Sequence, residues 1–298
     1  MLDEHDLPHR VRMRNELLGG NEAYEVDLRK LDTLRSILSD LHVLVVEETS
    51  FLVRALRWAI RQHEFAKVLV LGVDIPPRQP LHTEAWGHSD YISPADARVL
   101  YLDNSALYVA KSRVWCENSP AVDVVQGDPT QPIDTEQVQE LLRDFDNGPV
   151  ITMIPGLLHR LDDERAADLL GEIRMFWPKS SCVIATHLLD PETEEGTAVA
   201  EKLATSVADS PHLGPVHFRT RAQLADLLSG YDLASPIGPA RDWYPHGSPE
   251  AGRLASELIA GVVGWPGIGT GPAAVSPAIA KSGLILPECR WSAGAPAP

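Results

Sequence analysis

The chain has 298 residues, 44% of them hydrophobic and 23% charged, which is long enough for one large domain with a sizeable core. Its formal net charge of −16 repels phosphate backbones, and the densest basic run, HRVRMRN at 9–15, is short and followed by acidic residues, so the sequence argues against a nucleic-acid partner. Its three cysteines, Cys116, Cys182 and Cys289, are far apart and form no CxxC pair, which argues against a disulfide framework or zinc knuckle and fits a reducing cytoplasm, and no metal site is expected.

In chain order, the opening MLDEHDLPHR is polar and is not expected to be a signal peptide, and no apolar run approaches the roughly 20 residues that a bilayer requires. Residues 1–63 read as helical and form a first unit, an N-terminal cap or lid. EAYEVDLRKLDTLRSIL places Val26, Leu28, Leu31, Leu34 and Ile37 near helical spacing, and a second helix is expected from Val43 to His63. Phe51, Leu52, Leu56 and Trp58 on that helix serve either the core or a homodimer contact.

From residue 64 the pattern changes. KVLVLG (67–72), ARVLYLD (97–103), AVDVVQGD (121–128), PVITMIP (149–155) and SCVIATHL (181–188) are short apolar runs, as in strands buried on both faces. Helices are expected at 105–116, 135–145, 162–176 and 192–208 between and after them, then a short helix in RTRAQLADLLSG, a short strand in YDLAS and a last strand in LIAGVVGW (258–265). Alternation of this kind predicts an α/β domain over 64–265, a Rossmann-like parallel sheet with helices on both faces. The stretch 266–298, rich in Gly, Pro and Ala, reads as a loose tail docked by Leu284–Leu286 and Trp291.

Such sheets bind ligands at the carboxyl ends of their strands, so the residues just after each strand are the candidates. They are Gly72 to Pro76, Asp103 with Asn104, Gly127 with Asp128, and Ile154 to His159. Asp103 can accept from a ribose diol or help cap the next helix. Asp128 can face an exocyclic amine or simply close the turn GDPTQP. His159 can act as a general base, pack over a ligand, or be an ordinary loop residue. The pair Gly19-Gly20 in LLGG marks a tight turn with close backbone approach, or only a helix break.

These motifs, taken in order, resemble the actinobacterial S-adenosylmethionine-dependent methyltransferases once grouped as a domain of unknown function, over roughly residues 10 to 265. The family segment R-x-Y-D-Y-L-L-G-G-K-D-N-F stands here as RMRNELLGGNEAY, its V-Y-V-D-N-D as VLYLDNS, its third-strand Asp in QGDPTQP, and its L-H-F-V-x-D as LLHRLDD. The resemblance implies a class I methyltransferase fold of seven strands, mostly parallel, with an N-terminal helical lid. It implies S-adenosylmethionine as methyl donor, Asp103 on the ribose, Asp128 facing the adenine amine, the loop after the first strand along the methionine part, and a lid that includes Gly19 and Gly20.

The departures lie at the reacting end. The family's D-I-G-T-G-L-P-T is VLGVDIPP here: Gly72 and Pro76 match, Val70 replaces the acid and Asp74 replaces the second glycine. In the lid Arg14 and Glu16 replace two tyrosines, Asn15 an Asp, Asn21 a Lys and Ala23 an Asn. Two readings stay open. The chain methylates a small molecule with Tyr24, Glu16 or His159 as base, or it is a degenerate binding or scaffold protein with altered or lost cofactor binding. The absence of GxGxxG and GxSxG disfavours a dehydrogenase and a serine hydrolase.

Overall fold

Each short apolar run forms a strand in the computed structural model, which describes residues 6–63, 67–72, 98–117, 121–210, 213–243 and 253–267. The strands are β1 (Lys67–Leu71), β2 (Arg98–Asp103), β3 (Val122–Gln126), β4 (Val150–Ile154), β5 (Cys182–Leu188), β6 (Tyr231–Leu233) and β7 (Ile259–Pro266). They form one sheet in the order β3-β2-β1-β4-β5-β7-β6. β1 to β5 are parallel, and β7 runs antiparallel between β5 and β6. This is the seven-stranded, mostly parallel sheet of the class I methyltransferase fold that the resemblance implied.

The continuous apolar runs follow from burial of both faces. Val68 and Val70 of β1 and Val99 and Tyr101 of β2 join one core, while Leu69, Leu71, Leu100 and Leu102 join the other. Helices α4 (Ala106–Cys116) and α7 (Glu194–Ala208) cover the first face, and α5 (Glu136–Asn147), α6 (Asp163–Phe176) and α8 (Arg221–Leu227) the second. Their starts are fixed by side chains that accept from the first-turn N–H groups: Ser105 for α4, Asp162 for α6, Thr193 for α7 and Thr220 for α8. A last short helix, α9 (Leu254–Glu257), leads into β7.

Three helices precede the sheet: α1 (Arg10–Leu17), α2 (Glu25–Ile37) and α3 (Leu41–His63). The described residues up to 63 are mainly helical, as expected, but their helices fall into two layers. α3 lies against the sheet, with Phe51 fully buried and edge-on to Trp243 at 5.4 Å, and Trp58 edge-on to Trp243 and Trp265. Phe51, Leu52 and Leu56 are therefore core residues.

α1 and α2 form the outer layer. Buried Arg12 donates from Nε to Asp27 Oδ2 (2.6 Å) and from Nη2 to Asp27 Oδ1 (3.1 Å), and its guanidinium lies 4.5 Å from the Tyr24 ring centroid. His9 stacks on Tyr108 of α4 at 4.3 Å, and Lys111 of α4 pairs with Glu22 at 2.6 Å. Between α1 and α2, Gly19 has φ +82°, which only glycine adopts without strain, and a Cβ on Gly20 would overlap the Asn15 carboxamide. Asn15 in turn accepts from Glu22 N (3.0 Å), so LLGG is a tight turn folded around this side chain. Asp74 and Pro76, and the tail beyond Gly267, lie outside the described residues.

Candidate functional site

The parallel strands end side by side, and their carboxyl ends carry the residues singled out from the sequence. Gly72 has φ +110°, and no described atom lies within 4 Å of where a Cβ would stand. Its N–H donates to Leu102 O (2.7 Å), which ties the end of β1 to β2. Backbone that needs glycine is suited to close approach of a ligand. Asp103 is buried, with Oδ1 accepting from Ser105 N (2.8 Å) and Oδ2 from Arg10 Nη2 (3.3 Å). The cap of α4 is Ser105 itself, and Asp103 orients it. Asn104 is exposed beside it.

Asp128 is exposed and its Oδ1 accepts from both the N–H (2.8 Å) and the hydroxyl (2.7 Å) of Thr130, which is the turn role. Gly127 needs its small size for packing, because a Cβ there would press on Thr135 and Leu102. Ile154 is buried at the end of β4.

The loop after β4 faces a cavity of about 230 Å³ between α1, α2, α3, α7 and the segment before α8. Met13, Leu34, Leu44, Leu203, Val216 and Phe218 supply apolar wall. Arg10, Arg14, Glu48, His159 and Arg160 supply the polar part. His159 is thus brought to the cavity, and Tyr24 and Glu16 are not among its described lining residues. Tyr24 packs instead under Arg12.

Two residues that carried no motif organise this region. Buried Glu48 of α3 pairs through Oε2 with Arg14 and accepts at Oε1 from the Thr186 hydroxyl (2.6 Å), which in turn accepts from Gly156 N (2.9 Å). The arginine that departs from the family's lid motif therefore meets an acid on the opposite wall. Arg219 donates to the carbonyls of Leu158 (3.1 Å) and Leu161 (2.8 Å), which flank His159, and to His187 Nε2 (2.6 Å). A guanidinium only donates, so His187 carries its proton on Nδ1, where it donates to Leu188 O (2.6 Å).

Burial, and then the charges of Arg160, Arg219, Arg10 and Arg14, push the His159 imidazole down to about 3. Its Nδ1 is buried with no hydrogen-bond partner among the described residues. Burial likewise lowers His9, to about 3, and His187. Such groups are neutral in the folded chain at pH values where the unfolded chain is protonated. The unfolded state then binds more protons, so stability falls as pH drops from 6.5 towards 3. At pH 5 the loss is at most about 2 kcal/mol for His159. Urea unfolding at pH 7.5 and 5.0 should show the loss, and His159→Gln should reduce it. A pH-independent midpoint would contradict the burial of these rings.

A sequence profile for a family described as S-adenosyl methyltransferase matches residues 2–266. The chain is also similar to two solved structures. One, from Thermobifida fusca YX, is a candidate methyltransferase with 23% identity and a TM-score of 0.77, over 88% of this chain and 96% of the other. The second, a DUF574 family protein from Streptomyces avermitilis MA-4680, has 21% identity and a TM-score of 0.75, over 89% and 99%. At these identities the likeness establishes the fold. No curated protein matches the sequence.

Proposed function

The chain belongs to the S-adenosyl methyltransferase family, whose methyl donor is S-adenosylmethionine, and we propose that it transfers that methyl group to a small molecule held in the cavity under α1 and α2. The observation that carries the reading is the position of Arg10. It touches Asp103 at the end of β2 and also lines the cavity, so a ribose acceptor and an acceptor pocket adjoin through one side chain. The residues present suit the donor. Asp103 would take the ribose hydroxyls in place of Arg10, whose side chain is one-third exposed and able to move aside. Asn104 and Asp128 would border the adenine, and Gly72 would admit the methionine part. Gly19 and Gly20 would form the turn of a lid built from α1 and α2.

When bound, the sulfonium supplies an already activated methyl group. The chain then contributes alignment and exclusion of water, and a strong base is unnecessary. His159 is the cavity residue suited to touch the acceptor. Among the described residues no helix is long and apolar enough to cross a membrane.

Calorimetric titration with S-adenosylmethionine, S-adenosylhomocysteine and adenosine tests the reading. Micromolar binding of the first two is the expected result. Binding of adenosine alone, or of none, would show that the loop containing Asp74 no longer holds the methionine end, and the chain would then be a non-catalytic relative.

A further inference from the structure

We propose that the methyl acceptor is an amphipathic organic acid, whose apolar body fills the cavity and whose carboxylate lies between Arg10 and His159. This rests on the methyltransferase reading above and adds the substrate class.

Three observations support it. First, the cavity is apolar along α2 and α7, while its polar lining comes from Arg10 and Arg14 of α1, Glu48 of α3 and His159 and Arg160 after β4, so it suits a molecule with one polar terminus. Second, that polar end is rich in arginine: Arg10, Arg14 and Arg160 line it, and Arg219 stands behind the His159 loop. The acids facing them are already engaged. Glu48 holds Arg14 and Thr186, Asp163 holds Arg219 from the surface, and Asp103 holds Arg10. If the ribose takes Asp103 Oδ2, the Arg10 guanidinium loses that partner at the cavity edge. Third, His159 lines the cavity, and its buried Nδ1 has no hydrogen-bond partner among the described residues. An Nδ1–H tautomer has no acceptor in the described chain, and a carboxylate would provide one.

The chemistry agrees with this geometry. Depression of the His159 pKa makes the ring a poor base, so an acceptor that arrives already ionised is favoured over one that must lose a proton. A carboxylate oxygen forms the O–CH₃ bond with its own lone pair. The methyl–sulfur bond breaks and its electrons stay on sulfur, giving a neutral ester and a neutral thioether with no proton to remove. An anion between a guanidinium and a sulfonium is attracted to both, whereas an ammonium is repelled by both.

The test is calorimetric titration of the full chain with octanoate, octan-1-ol and octylamine, each with and without saturating S-adenosylhomocysteine. Octanoate should bind at least tenfold more tightly than octan-1-ol, and octylamine more weakly than either. Arg10→Gln should abolish the preference for the acid, bringing octanoate to within a few-fold of octan-1-ol measured on the same variant. With S-adenosylmethionine present, methyl octanoate should appear by mass spectrometry. Equal affinities, a preference for the amine, or an acid preference that survives Arg10→Gln would overturn the anion site. Tight acid binding without ester would overturn the acceptor assignment. Failure of S-adenosylhomocysteine to bind would count against the methyltransferase reading, while the titrations without it would still decide the acid preference.

Discussion

Asp27→Ala should lower the unfolding free energy by about 3–5 kcal/mol, the cost of leaving a buried charge without its partner. Asp27 is fully buried and takes hydrogen bonds from His9 N (2.7 Å), Tyr24 N (2.8 Å) and both Nε and Nη2 of Arg12. Its removal strands the Arg12 guanidinium, itself 2% exposed, between the Tyr24 ring and Tyr108. It also removes the acceptor for Tyr24 N at the start of α2 and for His9 N at the start of α1. For a chain of this size the loss corresponds to a fall in Tm of roughly 10 °C. Arg12→Leu combined with Asp27→Leu should recover much of it, because both charges leave together. Thermal and urea denaturation measure both variants. A change in the single variant below about 1 kcal/mol would mean that the outer helical layer adds little to global stability. The same variant should weaken S-adenosylhomocysteine binding, since the Arg12–Asp27 pair holds α1 to α2 in the layer proposed as the lid.

The sheet was readable from the sequence because both its faces are buried. The strands were unbroken apolar runs that alternated with helical segments, whereas the helix caps at Ser105, Asp162, Thr193 and Thr220 are seen in the structure. Asp103 and His159 became candidates because strand ends are where such folds gather ligands. Pairings between distant elements could not be read. In HRVRMRN, Arg10, Arg12 and Arg14 looked like one small basic run. In the structure each meets a different acid: Asp103 of β2, Asp27 of α2 and Glu48 of α3. On a helix, positions 10 and 14 share a face and 12 lies nearly opposite, which sends two arginines to the cavity and one to α2. Glu48 and Arg219 were overlooked for the same reason. A Glu within an amphipathic helix and an Arg before a short helix resemble solvated charges until the fold buries them at 5% and 4% exposure. The two-layer arrangement of the first three helices was hidden too, because periodicity shows which face of a helix is apolar and not what covers it.

Asp103→Asn should weaken S-adenosylhomocysteine binding about a hundredfold, and this is the largest effect expected at the candidate site. The substitution keeps one carbonyl-type oxygen to accept from Ser105 N, so the start of α4 is preserved and loss of affinity is not loss of fold. It replaces the outer acceptor with an NH₂ group, which cannot accept from a ribose hydroxyl and points a donor at Arg10. Hydrogen bonds to a charged group are worth about 1.5–3 kcal/mol each, so loss of a ribose contact at this buried carboxylate accounts for a decrease of that size. Arg10→Gln provides the opposing control. It removes the cation that competes for Oδ2, so cofactor affinity should stay level or rise a few-fold while Asp103→Asn loses it. If Asp103→Asn binds S-adenosylhomocysteine as tightly as the parent chain, Asp103 serves only the lid and the turn into α4, and the ribose must be held elsewhere. If both variants lose affinity equally, the Arg10–Asp103 pair is a structural unit whose integrity the cofactor requires, and the ribose does not displace Arg10 on entry.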